Sequence, residues 1–195
     1  MSMSLLPALL LLTLGIGVQS SPLSLDVRVF RGAVEVTRDT HVTVFPAGTR
    51  TNGQAAPLVS SGERQVSLAA GQYDLQLVQH HEGKVSGIAW TTLRLLVDYP
   101  GERGRHLEVL NFDKTFGALQ IRRAGPAAAG APAWHARLVR KDGSEVARGV
   151  PGEAYQVLVA PAGTYDVVIE SSAGAAPVRL TDVEVRANLT YVRTY

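Results

Sequence analysis

Five histidines are the first residues whose chemistry could matter: His41, His80, His81, His106 and His135. The only cluster with a metal-binding look is His80-His81-Glu82. Adjacent residues on a strand point to opposite faces, so both imidazoles could reach one ion only from a loop, and Gly83-Lys84 next to them reads as a turn. A polar hairpin tip is the plainer reading. No His-x-x-x-His with an adjacent Glu, no Gly-x-Ser-x-Gly elbow and no glycine-rich phosphate loop is present. Zero cysteines exclude thiol catalysis, zinc-thiolate sites, iron–sulfur clusters and disulfides. No cofactor is therefore expected, and no catalytic or metal residue is assigned. Lys114, Asn188 and Glu170 are the one set that could form a Lys–Asn amide crosslink with an assisting acid. The remaining recognition candidates are Trp90 and Trp134, which could stack on sugar rings or pack in a core. Beside them, Arg137 and Arg140, with Arg122, Arg123 and Lys141, give the second half a basic surface that is either solvated or turned toward an anionic partner.

The elements that must position these residues come in two copies. Val27-Arg-Val-Phe-Arg31 aligns with Leu119-Gln-Ile-Arg-Arg123, and Gly71-Gln-Tyr-Asp-Leu-Gln-Leu77 with Gly163-Thr-Tyr-Asp-Val-Val-Ile169. Between them His41-Val-Thr-Val-Phe45 matches His135-Ala-Arg-Leu-Val139, and Gly62-Glu63 matches Gly152-Glu153. Four short matches in one order indicate a duplicated unit. The units predicted are 21–113 and 114–195, after a leader at 1–20. The stretch Ala124–Ala133 (AGPAAAGAPA) has a linker's composition, yet the alignment places it after the first strand of the second unit, as a loop inside it.

Period-two alternation dominates both units. Leu25, Val27 and Val29 share one face, with Asp26 and Arg28 on the other; Tyr73, Leu75 and Leu77 repeat the device, as do Leu107-Glu-Val109 and Val183-Glu-Val185. Pro46-Ala-Gly48, Asp142-Gly143, Pro151-Gly152 and Pro161-Ala-Gly163 mark turns. No helical stripe follows residue 20. The pattern predicts an all-β chain of two tandem antiparallel β-sandwiches, with about seven strands each and a longer turn at Tyr99–Arg105 in the first unit only. Gly71 and Gly163 are expected to supply positive φ to a hairpin, and Tyr73 and Tyr165 to point inward with the hydroxyl at the rim. The acids that follow them, Asp74 and Asp166, read as solvent-facing framework positions.

The repeated Ala-Gly-Gln-Tyr-Asp-Leu and Pro-Ala-Gly-Thr-Tyr-Asp-Val hairpins resemble those of transthyretin-like (prealbumin-like) sandwiches, including the carboxypeptidase regulatory-like repeats of bacterial exported proteins. The motif is short and points to a fold more than to a family, with immunoglobulin-like and fibronectin-like sandwiches as the alternatives. The resemblance covers both units and implies modules that space, adhere or bind partners; it carries over no binding residue.

Residues 1–20 contain no charged side chain and hold an apolar run, Leu5–Leu14, followed by Gly15, Gly17 and Val18-Gln-Ser20. That is the layout of a secretory signal peptide cut after Ser20, although its start lacks Lys or Arg; the apolar stretch is too short for the roughly 20 residues of a membrane span. No transmembrane segment is expected after cleavage, and the address read is secreted or periplasmic, at a bacterial envelope. Net charge is only +2, too small to drive nucleic-acid binding. The expected function is a non-catalytic protein-interaction or structural accessory module with an envelope or surface protein as partner. The alternative is a carbohydrate-binding module using exposed tryptophans.

Overall fold

A computed structural model describes residues 22–52, 56–61, 65–96, 105–124, 132–151 and 155–195. The leader, most of the Ala/Pro stretch and the turn at 99–104 lie outside these residues. The alternating segments form strands. In the first half these are β1 (Leu23–Arg31), β2 (Val34–Glu35), β3 (Thr40–Pro46), β4 (Val59–Ser61), β5 (Gln65–Leu68), β6 (Gly71–His81), β7 (Lys84–Leu95) and β8 (Arg105–Asn111). In the second half they are β9 (Phe116–Arg122), β10 (Trp134–Val139), β11 (Glu145–Arg148), β12 (Tyr155–Pro161), β13 (Gly163–Ser171), β14 (Val178–Val185) and β15 (Thr190–Thr194). Among the described residues, helix is confined to single turns at Thr37–Asp39 and Thr49–Asn52.

The two halves are wired alike. One sheet of the first half runs β4–β3–β6–β7, and one of the second β11–β10–β13–β14. Facing them, β1 lies between β5 and β8 as β9 lies between β12 and β15, with the short β2 an addition in the first half. Register follows the duplication: His41 pairs across to Val78, and His135 to Glu170. The chain is thus all-β, in two tandem sandwiches. Pairing is not antiparallel throughout, because β8 joins β1, and β15 joins β9, in parallel. The last strand of each half crosses from its neighbour's sheet to the opposite one and arrives running the same way as the first strand.

Each sandwich has its own core. Leu25, Val27, Val29, Leu75, Leu77 and Leu95 centre the first; Leu119, Ile121, Leu138, Leu158 and Val167 centre the second. A third cluster joins them. Phe30, Leu107 and Val109 pack with Ala118, Tyr155, Val157 and Val159. These residues alternate with the core residues on β1, β8, β9 and β12, so they project from the opposite face of each sheet. The β5–β1–β8 sheet therefore packs back to back on the β12–β9–β15 sheet, and four sheets stack in one pile.

This contact covers Asp26 and Arg28. Their alternation with Leu25 and Val27 marks a second face, but that face is covered: Asp26 is 0% and Arg28 4% exposed. The Tyr155 hydroxyl donates to Asp26 Oδ2 at 2.8 Å, and the guanidinium carbons of Arg28 and Arg122 lie 5.6 and 5.7 Å from the Tyr155 ring centroid. At about 1.5–3 kcal/mol per fully buried large apolar side chain, the cluster contributes on the order of 10 kcal/mol before ordering costs.

Candidate functional site

The repeated hairpin is a framework device. Tyr73 donates its hydroxyl to the carbonyl of Ala69 at 2.8 Å, and Tyr165 to that of Pro161 at 2.9 Å, so each tyrosine bolts its strand to the preceding turn. Gly71 and Gly163 do not adopt positive φ. The tyrosine folds back over each: an added Cβ would lie 3.4 Å from the Tyr73 hydroxyl, an ordinary contact, and 3.2 Å from that of Tyr165, a tight one.

The acids that follow are buried rather than solvent-facing. Asp74 accepts the Arg50 backbone N–H at 2.9 Å and the Thr92 hydroxyl at 3.0 Å. Asp166 accepts Arg179 at 2.8 Å, Lys141 Nζ at 3.0 Å and the Asp182 N–H at 3.1 Å. The Arg50 amide lowers the pKa of Asp74, and the Arg179 guanidinium, with Lys141, holds that of Asp166 down at about 2. Such acids latch neighbouring strands and remain ionised at neutral pH.

The candidates for chemistry are dispersed. His80 and His81 are exposed beside the Gly83 turn, and among the described residues no group of three His, Asp or Glu is placed to hold a metal. His135 Nε2 lies 2.9 Å from Glu170 Oε2, and Glu170 also takes Arg137. Arg137 reaches Glu145 at 3.5 Å as well, while Arg140 bonds the Ser144 hydroxyl at 3.2 Å. Arg123 and Lys141 are likewise engaged, with Tyr195 and with Asp166 and Asp182. Arg137 and Lys141 are thus paired with acids, and Arg123 and Arg140 with hydroxyls. Lys114 Nζ does donate to Asn188 Oδ1, at 3.1 Å, but both are exposed and Glu170 is held elsewhere by His135 and Arg137, so the crosslinking set is not assembled.

The tryptophans differ. Trp134 is 6% exposed, in the second core with its ring 5.0 Å from that of Tyr195, which leaves no open face for a sugar. Trp90 is half-buried and alternates with Ala89, Leu93 and Leu95, so it stands on the outer face of the β4–β3–β6–β7 sheet, 5.3 Å from Phe45.

One feature could not be read from sequence. A cleft of about 450 Å³ opens where the first sandwich meets the second. It is lined by the second half of β7, by β8 and by residues near Phe116 and Asn188. Leu93 and Leu110 form part of its apolar lining, and His106, 3.2 Å from Glu108, part of its polar lining. Thr190 donates to the Val109 carbonyl at 3.3 Å and fastens the two halves across it. The residues come from segments scattered from Leu77 to Thr190, so no local motif announces them.

No family model and no curated relative matches the sequence. Among solved structures, the chain is similar to the Bacillus anthracis TIE protein, at 15% identity and a TM-score of 0.30, over 88% of this chain and 33% of that one. It is similar to a shaft pilin, SpaA, of Lactobacillus rhamnosus GG, at 11% identity and a TM-score of 0.31, over 89% of this chain and 98% of that one. A candidate adhesin of Bacteroides ovatus gives 9% identity and a TM-score of 0.28, over 89% and 87%. This chain spans a third of the TIE protein's length. The fold assignment itself rests on the strand pairing described above.

Proposed function

We propose that the chain is an exported, non-catalytic module, with units 21–113 and 114–195, that serves as a rigid structural or protein-interaction element at the bacterial envelope. The observation that carries this reading is the back-to-back packing of two sheets through Phe30, Leu107, Val109, Tyr155, Val157 and Val159. A duplicated sandwich joined by a floppy linker would act as two beads; one joined by a buried apolar cluster acts as a single stiff body. The leader-like residues 1–20 supply the export part of the reading. The test is crosslinking of the tagged full chain in its native cells, followed by fractionation and mass spectrometry. A stoichiometric protein partner in the envelope fraction is expected; full-length, uncleaved chain in the cytosol would refute the reading.

The Phe45–Trp90 pair favours a second reading, a glycan-binding face on the outer sheet. Retention on polysaccharide gels that Trp90→Ala abolishes without altering thermal stability would replace the first reading with this one.

A further inference from the structure

We propose that β7 is a docking edge for an extended strand of a partner protein, a strand uncharged in its middle and acidic at its ends. The inference rests on the protein-interaction reading above and names the site that would carry it. Sheet edges present unpaired N–H and C=O groups, and native proteins guard them with short length, charges, proline or irregular pairing. Among the described residues, the other edges of the two outer sheets are guarded. β4 and β11 have 3 and 4 residues. β14, which holds the place of β7 in the second sandwich, carries Arg179, Asp182 and Glu184, breaks register opposite Asp166 and puts Asp182 at φ 55°.

The middle of strand β7 lacks these guards. It has 12 residues, pairs with β6 in regular register from Gly87 to Leu95, and reads Gly-Ile-Ala-Trp-Thr-Thr-Leu from Gly87 to Leu93 with no charge and no proline. Only its start is irregular, between Gly87 and Val85. Val85 is 56% and Ile88 60% exposed. The cleft lies alongside its second half, with Leu93 and Leu110 in the lining, where every other side chain of an added strand could enter.

Charge selects the occupant. Lys84 stands at one end of β7, with Glu82 in the turn before it, and Arg94 and Lys114 at the other, where the acid lining the cleft, Glu108, lies 3.2 Å from His106. A second copy of β7, paired antiparallel about its centre, would set Lys84 against Arg94 at both ends, a like-charge pairing that opposes it. A partner strand with acidic ends meets cations there instead.

The experiment is amide hydrogen exchange on the full chain with a synthetic peptide of about 12 residues, the length of β7, alternating threonine and valine between aspartate pairs. The control peptide has proline in place of valine. With the peptide at about ten times its Kd, exchange in residues 84–95 is expected to slow about tenfold, with β14 unchanged. The control peptide should have no effect. Val85→Lys and Ile88→Lys alter exposed positions only, so both should keep the wild-type circular dichroism and urea midpoint while losing the protection. No slowing at about 1 mM peptide overturns the proposal, as does equal slowing in β7 and β14. Slowing that grows with protein concentration alone, with dimers in sedimentation, overturns it in favour of a second copy. None of these outcomes alters the rigid packing of the two halves, which is measured separately by the Tyr155 variant below.

Discussion

Replacing Tyr155 by Phe tests whether the two sandwiches are one body. The substitution keeps the ring between Arg28 and Arg122 and deletes only the hydroxyl that donates to Asp26 Oδ2 at 2.8 Å. A hydrogen bond to a charged group is worth about 1.5–3 kcal/mol, and here the loss falls on an Asp26 that is 0% exposed and cannot turn to bulk water. For a chain of this size each kcal/mol moves the melting temperature by about 2–4 °C, so Tyr155→Phe should melt about 3–12 °C below wild type. The assay is urea and thermal unfolding, with a double-mutant cycle against Asp26→Ala. If the bond couples the halves, the two losses are not additive, and the coupling should exceed about 0.5 kcal/mol. A Tyr155→Phe protein that melts with wild type, or a cycle that closes to zero, refutes the back-to-back packing. Tyr155 and Asp26 belong to different sandwiches, so there is no route to coupling between them if the halves move independently.

The other expectations are briefer. Tyr73→Phe and Tyr165→Phe should each cost about 0.5–1.5 kcal/mol in urea unfolding, because each removes one hydroxyl-to-carbonyl bond of the same geometry; a large loss in one and none in the other would contradict their equivalence. Gly117→Ala should cost upwards of about 3 kcal/mol, since its Cβ would fall 2.0 Å from the Arg186 carbonyl oxygen, whereas Gly71→Ala, with ordinary contacts at 3.4 Å and beyond, should fall within about 1 kcal/mol of wild type. The lowered pKa of Asp166, about 2 against an ordinary 3.8, means the unfolded chain binds the extra proton between these values. Stability from this group is therefore full above about pH 4 and lost as pH falls toward about 2. Asp166→Asn should flatten that part of the urea-midpoint profile; an unchanged slope would show that other carboxylates set it.

Legibility in the sequence followed the range of the interaction. The Gly-x-Tyr-Asp hairpins were readable because the tyrosine, its glycine and the accepting carbonyl lie within a few residues of one another. The positive φ expected at the glycine is absent from both: a tyrosine folds back over each, closely enough to crowd an added Cβ only at Gly163. Alternation correctly separated Leu25 and Val27 from Asp26 and Arg28, but parity says which residues share a face and nothing about what covers it. Asp26 and Arg28 are buried by strands more than a hundred residues further on. Asp74 and Asp166 misled for the same reason, since their burying partners, Arg50 and Thr92 in one case and Lys141 and Arg179 in the other, come from neighbouring strands and turns. The parallel entry of β8 and β15 is likewise invisible locally, because Leu107-Glu-Val109 reads as a strand in either direction.

The duplication separates what the fold requires from what it does not. Two copies with the same wiring face the same demands for closing a sandwich, so features held in both, the tyrosine bolts and the buried acids, belong to the framework. Asp74 and Asp166 even draw on matching places: the Thr92 hydroxyl serves the first, and the Asp182 amide, from the corresponding part of β14, the second. Features held in one copy have been kept or lost for another reason. Opposite the tyrosine hairpin, β14 is charged, irregular and closed to pairing, while β7 is long, regular and neutral between its end cations. Sandwich closure cannot require the bare edge, since the second copy closes without one. Nor does solubility favour it, because an unguarded edge invites aggregation. The proposed docking of a partner strand supplies such a reason, and the cleft beside β7 would let the second sandwich help to hold it.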